Sequence, residues 1–167
     1  MSNLTTRSQR RTGSETGFSL IELLIVVSVI LIIAAIAIPN FIKSKMRANE
    51  AAAVENMRTI GTANTVYLTT YGIGFSSDLT KLSGNLVIVD ANNAGLIDSV
   101  LASGAKSGYS YTYTPGAVDS SGHINGFDLT ADPINYGATG ERYFYVNQSG
   151  IIRFNSTATA TASDPAI

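Results

Sequence analysis

The sequence predicts an α+β fold in which one long N-terminal α-helix packs on a small antiparallel β-sheet head. Three observations predict it. A nearly uninterrupted apolar run covers residues 18–38, apolar residues then recur at helical spacing as far as Tyr71, and later segments alternate with the period of a strand. The chain has 167 residues, which is enough for one domain and an accessory segment.

A polar leader is predicted over residues 1–17. It contains Arg7, Arg10 and Arg11 and no apolar run, so it cannot build a core. The composition changes abruptly at Phe18. The first half of the long helix, residues 18–38, is predicted to span a membrane.

Only three of the 21 residues in that span are polar: Ser19, Glu22 and Ser28. At about 1.5 Å per residue, a helix of this length crosses roughly 30 Å, which is the thickness of one hydrocarbon layer. A helix buried in a soluble core is the alternative interpretation.

The second half of the long helix, residues 40–71, is predicted to be amphipathic. Its core-facing stripe repeats every three or four residues, while Glu50, Glu55 and Arg58 are expected to point elsewhere. Gly72 and Gly74 should end the helix. The stripe consists of Ala53, Met57, Ile60, Asn64, Tyr67 and Tyr71.

Residues 72–167 are predicted to form the β-rich head. A short helix is expected over residues 96–101. Strands are expected over residues 109–114, 127–131, 143–146 and 151–154, and residues 147–150 should form a hairpin turn. Pro133 should stop the second strand. The Ser/Thr/Ala-rich tail from about residue 156 is expected to be mobile, or at most loosely laid over the sheet.

Composition and motifs exclude several functional classes. The net charge of −1 argues against specific nucleic-acid binding, and the absence of cysteine excludes thiol and iron–sulfur chemistry. His123 is predicted to be a solvated loop residue, and no catalytic constellation or cofactor motif is present. Asp128 and Asp132 are weak candidates for a calcium site, with a strand-end turn the favoured interpretation, so no metal or cofactor is predicted.

The junction at Gly17 carries the most specific signal. It reads Gly-Phe-Ser-Leu-Ile-Glu and leads directly into the apolar run. Glu22 lies three residues after Ser19, which is the spacing of a capping box at a helix N-terminus. A charged residue so close to a membrane span also suggests a second role.

This segment resembles the prepilin signature of type IV pilins and type II secretion pseudopilins. The resemblance is close from Gly17 to Asn40 and extends in character to Tyr71. It implies the fold of those proteins, in which the apolar half of the helix lies in the core of a filament. It also implies cleavage between Gly17 and Phe18 by a prepilin peptidase and methylation of the new Phe18 amine.

The resemblance assigns two further residues a role. Glu22 would pair with the Phe18 amine of a neighbouring subunit and so select the register of assembly. Opposite charges about 4 Å apart gain about 4 kcal/mol at an effective dielectric constant near 20. Pro39 would kink the helix, because it lacks an N–H for the carbonyl of Ala35.

The function implied is structural, not enzymatic: a subunit of a helical homo-oligomeric filament that mediates adhesion, twitching motility or DNA uptake. Its partners would be the peptidase, an assembly ATPase with its platform, and the inner membrane. The subunit would wait there with its leader in the cytoplasm and its head in the periplasm, and would end in an extracellular pilus. A type II secretion pseudopilin is the alternative within the family.

Two more distant interpretations remain. The chain could be an exported or membrane-anchored binding protein or enzyme, with an ordinary signal peptide cut at the A-x-A site of residues 35–37. Asn147 and Asn155 fit the N-glycosylation pattern, and the tail hydroxyls could accept O-linked sugars.

Overall fold

The computed structural model describes residues 17–84 and 89–167; the predicted leader, apart from Gly17, lies outside the described residues. The chain divides into two compact units, Met1–Pro39 and Asn40–Ile167. The first unit contains the apolar half of the long helix. The second contains the rest of that helix and the β-sheet. The predicted α+β class is confirmed.

The long helix, α1, covers Leu20–Tyr71 and includes Pro39. The glycines after Tyr71 end it as the sequence predicts, since Gly72 and Gly74 both adopt positive φ values of 65° and 92°. The Gly72 N–H still donates to the carbonyl of Leu68 at 3.0 Å. At Gly74 a Cβ atom would lie 2.4 Å from the backbone nitrogen of Ile124, so only glycine fits there.

One antiparallel sheet of five strands follows, in the order β1 to β5. The four predicted strands are present, with small changes at their ends. Pro133 is the last residue of β3, as expected. The strands are β1 Ala105–Lys106, β2 Tyr109–Pro115, β3 Phe127–Pro133, β4 Tyr143–Asn147 and β5 Arg153–Asn155.

Two single-turn helices lie between α1 and the sheet: α2, Leu79–Leu82, and α3, Ser99–Ala102. The helix expected at residues 96–101 therefore begins three residues late. Leu96 and Ile97 are not part of the helix. Their N–H groups instead donate to the carbonyl of Leu82, at 2.7 and 3.1 Å. Asp98 then caps α3 by accepting from the N–H of Leu101 at 3.0 Å.

The core of the head lies between the second half of α1 and one face of the sheet. The predicted stripe is buried from Ala53 to Tyr67, and Tyr71 is half-buried against the same cluster. From the sheet, the core receives the alternate residues Tyr109, Tyr111, Phe127, Leu129, Ala131, Phe144 and Val146. The period-two prediction for β2 and β3 is confirmed by these side chains.

Asn64 is the polar member of the buried stripe. Its side-chain oxygen accepts from the N–H of Ser76 at 3.2 Å and from the Tyr113 hydroxyl at 3.0 Å. Its amide donates to the carbonyl of Ile60 at 3.2 Å. Because these bonds satisfy a fully buried amide, Asn64 joins α1 both to the segment after it and to β2.

The tail is more closely held than its composition suggests. Its backbone returns along β5: Phe154 N–H donates to the carbonyl of Pro165 at 3.0 Å, and Ile167 N–H donates to that of Ile152 at 3.1 Å. Arg153 bonds the carbonyl of Asp164 at 2.7 Å, and Ala160 is buried. The expectation of a loosely laid tail overlooked these long-range backbone bonds.

Candidate functional site

The first half of α1 presents an apolar surface with nothing packed on it in the described structure. Its large side chains are exposed at every position from Leu20, where the exposed fraction is 83%, to Ile38, where it is 57%. By length and composition, α1 is the one helix among the described residues that could cross a membrane, and its most apolar 18-residue window has a mean hydropathy of 3.1. A signal sequence would meet the same criterion, so the residues at the junction must discriminate.

The junction has the geometry of a helix cap. The backbone N–H of Ser19 donates to Oε2 of Glu22 at 2.9 Å, and the carbonyl of Ser19 accepts from the N–H of Leu23 at 3.2 Å. The contact of Glu22 with the Ser19 backbone confirms that half of the predicted capping box. A carboxylate in the first turn also meets the positive end of the helix dipole.

Phe18 and Gly17 precede this cap as exposed residues outside the helix. Phe18 is 86% exposed, and a Cβ built on Gly17 would meet no atom within 4 Å. Neither residue is enclosed by the fold. The peptide bond between them is therefore sterically open in the described structure.

The other polar residues near the span are satisfied within α1. The Ser28 hydroxyl donates to the carbonyl of Leu24 at 2.7 Å, which lowers the cost of placing it in an apolar environment. Pro39 lies inside the helix. A kink at Pro39 stays a prediction.

Three cations, Lys43, Lys45 and Arg47, follow the span and are exposed. The three ion pairs of the described residues involve other groups. Glu50 and Glu55 are the acids that follow these cations in α1. Within the subunit, both acids already have a basic partner.

Glu50 does not point away from the core, and that prediction was wrong. Its side chain is only 7% exposed and pairs with Arg142, whose Nη2 and Nε lie 2.8 Å from Oε2. Oε1 accepts from the N–H of Glu141 at 2.9 Å. The guanidinium also lies 5.5 Å from the ring centre of Phe144.

The spacing of the stripe carried the signal for this buried acid. Glu50 stands three residues before Ala53, so it continues the same helical face toward the N-terminus. Charge alone had suggested exposure. Arg142 was not singled out, because nothing local marks a residue 92 positions away as the partner.

The candidate calcium residues are not arranged as a metal site. Asp128 accepts from the Tyr145 hydroxyl, and Asp132 accepts from the Thr159 hydroxyl at 3.3 Å. They lie four residues apart on β3, which is about 13 Å along a strand. Within residues 17–84 and 89–167, no group of three potential ligands is close enough to hold a metal ion.

Asp132 is nevertheless unusual, since its Oδ1 is buried without a hydrogen-bond partner. Burial raises the pKa of Asp132 above its ordinary value, and the bond from Thr159 opposes that change.

His123 is half-buried in its loop, where its N–H donates to Asp119 at 2.9 Å.

The two sequons differ in their surroundings. Asn147 accepts from the N–H of Ser149 at 3.0 Å in the predicted hairpin turn. The amide of Asn155 donates to Asp164 at 3.0 Å and so helps to hold the tail. A glycan on Asn155 would remove or displace that bond.

Comparison with known proteins identifies the junction and the helix that follows it. Residues 13–38 match the family profile described as the prokaryotic N-terminal methylation motif. This match covers the junction, the cap and the apolar half of α1. Over these residues the chain is therefore similar to proteins that carry this methylation motif, and the described structure continues the motif into one long helix followed by an antiparallel sheet.

A curated relative is "Type IV major pilin protein PilA" of Myxococcus xanthus (strain DK1622). It is 49% identical over 57 residues, which represent 34% of this chain and 26% of that protein. The alignment thus spans about a quarter of the relative's length. No solved structure matches the chain.

Proposed function

We propose that this chain is a structural subunit of a type IV pilus-like filament, assembled from a pool in the inner membrane. The observation that carries the proposal is the apolar half of α1, which is exposed along its length and starts directly after the cap in which Glu22 accepts from the N–H of Ser19. A continuous apolar surface of this size marks a surface that lipid or protein covers.

Lipid and a bundle of copies are both suitable environments for this helix. In the membrane its backbone bonds are satisfied internally and its side chains contact acyl chains. In a filament, the same side chains would pack against those of other subunits. Moving the helix from the membrane to the filament exchanges contacts with lipid for contacts with other subunits, and both are apolar. Polar groups must therefore select how the subunits are aligned in the filament.

Glu22 is suited to make that selection. Its Oε2 is used by the cap, and the described structure shows no hydrogen bond to Oε1. Cleavage after Gly17 would create an amine at Phe18, and methylation would keep its positive charge. The amine of one subunit could then bind the carboxylate of the next, while any stagger without this pair would leave a costly buried charge.

A prepilin peptidase would carry out the cleavage and methylation, and an assembly ATPase with its platform would drive extrusion. Before assembly, the leader would lie in the cytoplasm and the head in the periplasm. After assembly, the head would form the outer surface of an extracellular pilus and would serve adhesion, twitching motility or DNA uptake. The M. xanthus relative is described as a major pilin, which favours a pilus subunit over a pseudopilin.

The test is the substitution Glu22→Ala in the cell that makes this protein. The variant should be cut and inserted normally, because the junction and the apolar run are intact. Its yield in sheared surface filaments should fall at least tenfold, since the register pair is lost. Immunoblots of the membrane and sheared fractions measure both quantities.

The matched control is Glu55→Ala, which removes the same charge from an exposed position farther along α1. Glu55 pairs with Arg58 at 3.7 Å on the surface of the head, so filament yield should stay near wild type. Normal yield from Glu22→Ala would contradict the register role. An equal loss in both variants would show that total charge is what matters.

Mass spectrometry of the mature protein separates this proposal from an ordinary signal peptide. A methylated Phe18 at the N-terminus supports the pilin subunit. Ile38 at the N-terminus would follow cleavage at the A-x-A site and would remove the span altogether. That result would contradict the proposed function.

A further inference from the structure

A cleft of about 520 Å³ lies beside the part of α1 that follows the apolar run. We call it the basic cleft. Residues from the helix and from the loop before β4 line it together, so it exists only in the folded head. Its charged and aromatic lining consists of Lys43, Arg47, Glu50, Glu141, Arg142 and Tyr136.

The charges of the basic cleft do not cancel. Glu50 is already neutralised by Arg142, at 2.8 Å. Lys43 and Arg47 form none of the ion pairs present in the described parts of the chain, and Glu141 is the one acid of the lining that remains exposed. The cleft thus keeps a positive surplus in a concave surface, which favours an anion.

Helical geometry brings the two unpaired cations together. Lys43 and Arg47 are four residues apart in α1, so they lie on one face of the helix. Lys45, between them, points to another side and does not line the cleft. Their side chains can therefore act on one ligand.

Their distance from the span indicates which anion they would meet. Lys43 is five residues beyond Ile38 and Arg47 is nine, which corresponds to about 7.5 and 13.5 Å of helix. The headgroup region extends roughly 5–7 Å beyond each side of the hydrocarbon core. Long basic side chains can reach back toward that layer, so lipid phosphate is within their range.

We propose that the basic cleft binds the phosphodiester headgroup of an anionic phospholipid while α1 is in the membrane. A zwitterionic headgroup would bring its own cation against Lys43 and Arg47, whereas an anionic headgroup would not. The inference rests on the proposed function in one respect, namely that the apolar half of α1 is kept in the mature protein and is held in a membrane before assembly. Headgroup binding would then set the depth of the helix in the bilayer.

The experiment uses the full chain reconstituted into phosphatidylcholine vesicles that contain a trace of spin-labelled phosphatidylglycerol or spin-labelled phosphatidylcholine. The motionally restricted fraction of each label gives the preference for the anionic lipid. Wild type should prefer phosphatidylglycerol several-fold. Lys43→Gln with Arg47→Gln should bring the ratio close to one, since this variant lacks both cations that attract the anionic headgroup.

The matched control is Arg58→Gln with Lys81→Gln, which removes two positive charges from the head outside the cleft. It should keep the wild-type ratio. High salt should reduce the wild-type preference and leave the cleft variant unchanged. This pattern would support the cleft as the lipid site.

Three outcomes would overturn the inference: a wild-type ratio near one, equal losses in both double variants, or a cleft variant that loses filament yield with unchanged lipid preference. The last result would assign the cleft to a second copy of the chain. Flotation with the vesicles separates this proposal from the proposed function. A chain that does not float contradicts both, and one that floats without lipid preference contradicts only this inference.

Discussion

Glu50 is held in the head by interactions that reach across the chain. Its carboxylate is buried, accepts one hydrogen bond from Arg142 and one from the backbone N–H of Glu141, and forms an ion pair with the Arg142 guanidinium. A buried carboxylate is tolerated only when its oxygens are paired in this way. The pair therefore fastens the loop before β4 to α1.

Replacing Arg142 with alanine should destabilise the head. The change leaves Glu50 buried without its cation and removes the packing on Phe144. Because the Arg142 side chain is 41% exposed, we expect a loss of about 2 kcal/mol in the free energy of unfolding, below the full cost of breaking a buried pair. Urea unfolding of the detergent-solubilised chain, followed by circular dichroism, measures it.

Arg58→Ala is the control for that measurement. It breaks an ion pair whose side chains are 62% and 71% exposed, so the expected loss is below about 0.5 kcal/mol. Similar losses in the two variants would contradict the argument, because the buried pair of Glu50 would then stabilise the head no more than an exposed ion pair does.

Asp132 should make stability depend on pH. Burial raises its pKa in the folded state, so the folded protein binds a proton more tightly than the unfolded chain. Stability is therefore lost as the pH rises through the folded-state pKa. Asp132→Asn has a side chain that does not ionise, so this variant should be more stable than wild type at pH 7 by about 1 kcal/mol.

The gain from Asp132→Asn should shrink as the pH falls below about 4, because the wild-type carboxyl is then increasingly protonated in both the folded and the unfolded state. Thermal unfolding at pH 7 and pH 3.5 measures the difference. Asp128→Asn is the control, since the Asp128 carboxylate already accepts from Tyr145 and should show no gain. A gain for Asp132→Asn that is constant with pH would contradict the argument.

The sequence predicted residues well where the determining contact is local. The contact of Glu22 with Ser19 spans three residues and is confirmed. Glu50 was predicted wrongly because its partners lie 91 and 92 positions away, and because its charge was weighted above its helical phase. The proposed roles of Gly17, Phe18 and Pro39 stay predictions.

At the level of elements, periodicity identified α1, β2 and β3, whereas β4 and β5 were located by the hairpin turn at residues 147–150. The alternation of β2 and β3 is strong, since one face of each enters the core. β1 was missed because two residues cannot show a period. α3 was displaced because Leu96 and Ile97 bond to Leu82, a tertiary contact that helix propensity does not contain.

The tail is the element whose structure departs most from its composition. Ending the chain at Asn155 would remove two backbone bonds, the bonds from Arg153 and Asn155 to Asp164, the bond from Thr159 to Asp132, and the buried Ala160. Since several of these bonds are exposed to solvent and each contributes at most about 1 kcal/mol, we expect a loss of about 3 kcal/mol in stability. Unfolding of the truncated and complete chains in the same detergent measures it.

Hydrogen exchange provides the internal control for the truncation. The Phe154 amide should exchange much faster without the carbonyl of Pro165. The exchange rate of the Leu129 amide, in the central strand β3, should change only as far as the global free energy of unfolding changes. Unchanged protection at Phe154 would show that the tail does not hold β5.

At the scale of the whole molecule, the two units differ in how their apolar surfaces are covered. The unit from Asn40 to Ile167 contains the buried core between α1 and the sheet. The apolar half of α1 contributes no residue to the buried core. The same chain thus contains a self-sufficient head and a segment that needs an external environment.

A chain that starts at Asn40 should therefore fold as a soluble monomer. A chain that starts at Phe18 should require detergent or lipid, because it keeps the exposed apolar run. Size-exclusion chromatography with light scattering and circular dichroism compares the two. An aggregated or unfolded 40–167 chain would contradict the independence of the head.

By itself, the sequence determined the long helix, its apolar half, the cap at Glu22 and the alternating strands. These features depend on spacings of two to four residues, which covalent geometry converts directly into faces and ends. Only the tertiary structure decided the pairing of Glu50 with Arg142, the start of α3 and the course of the tail. Each depends on a partner distant in sequence, and local patterns carry no record of which distant groups the folded chain brings together.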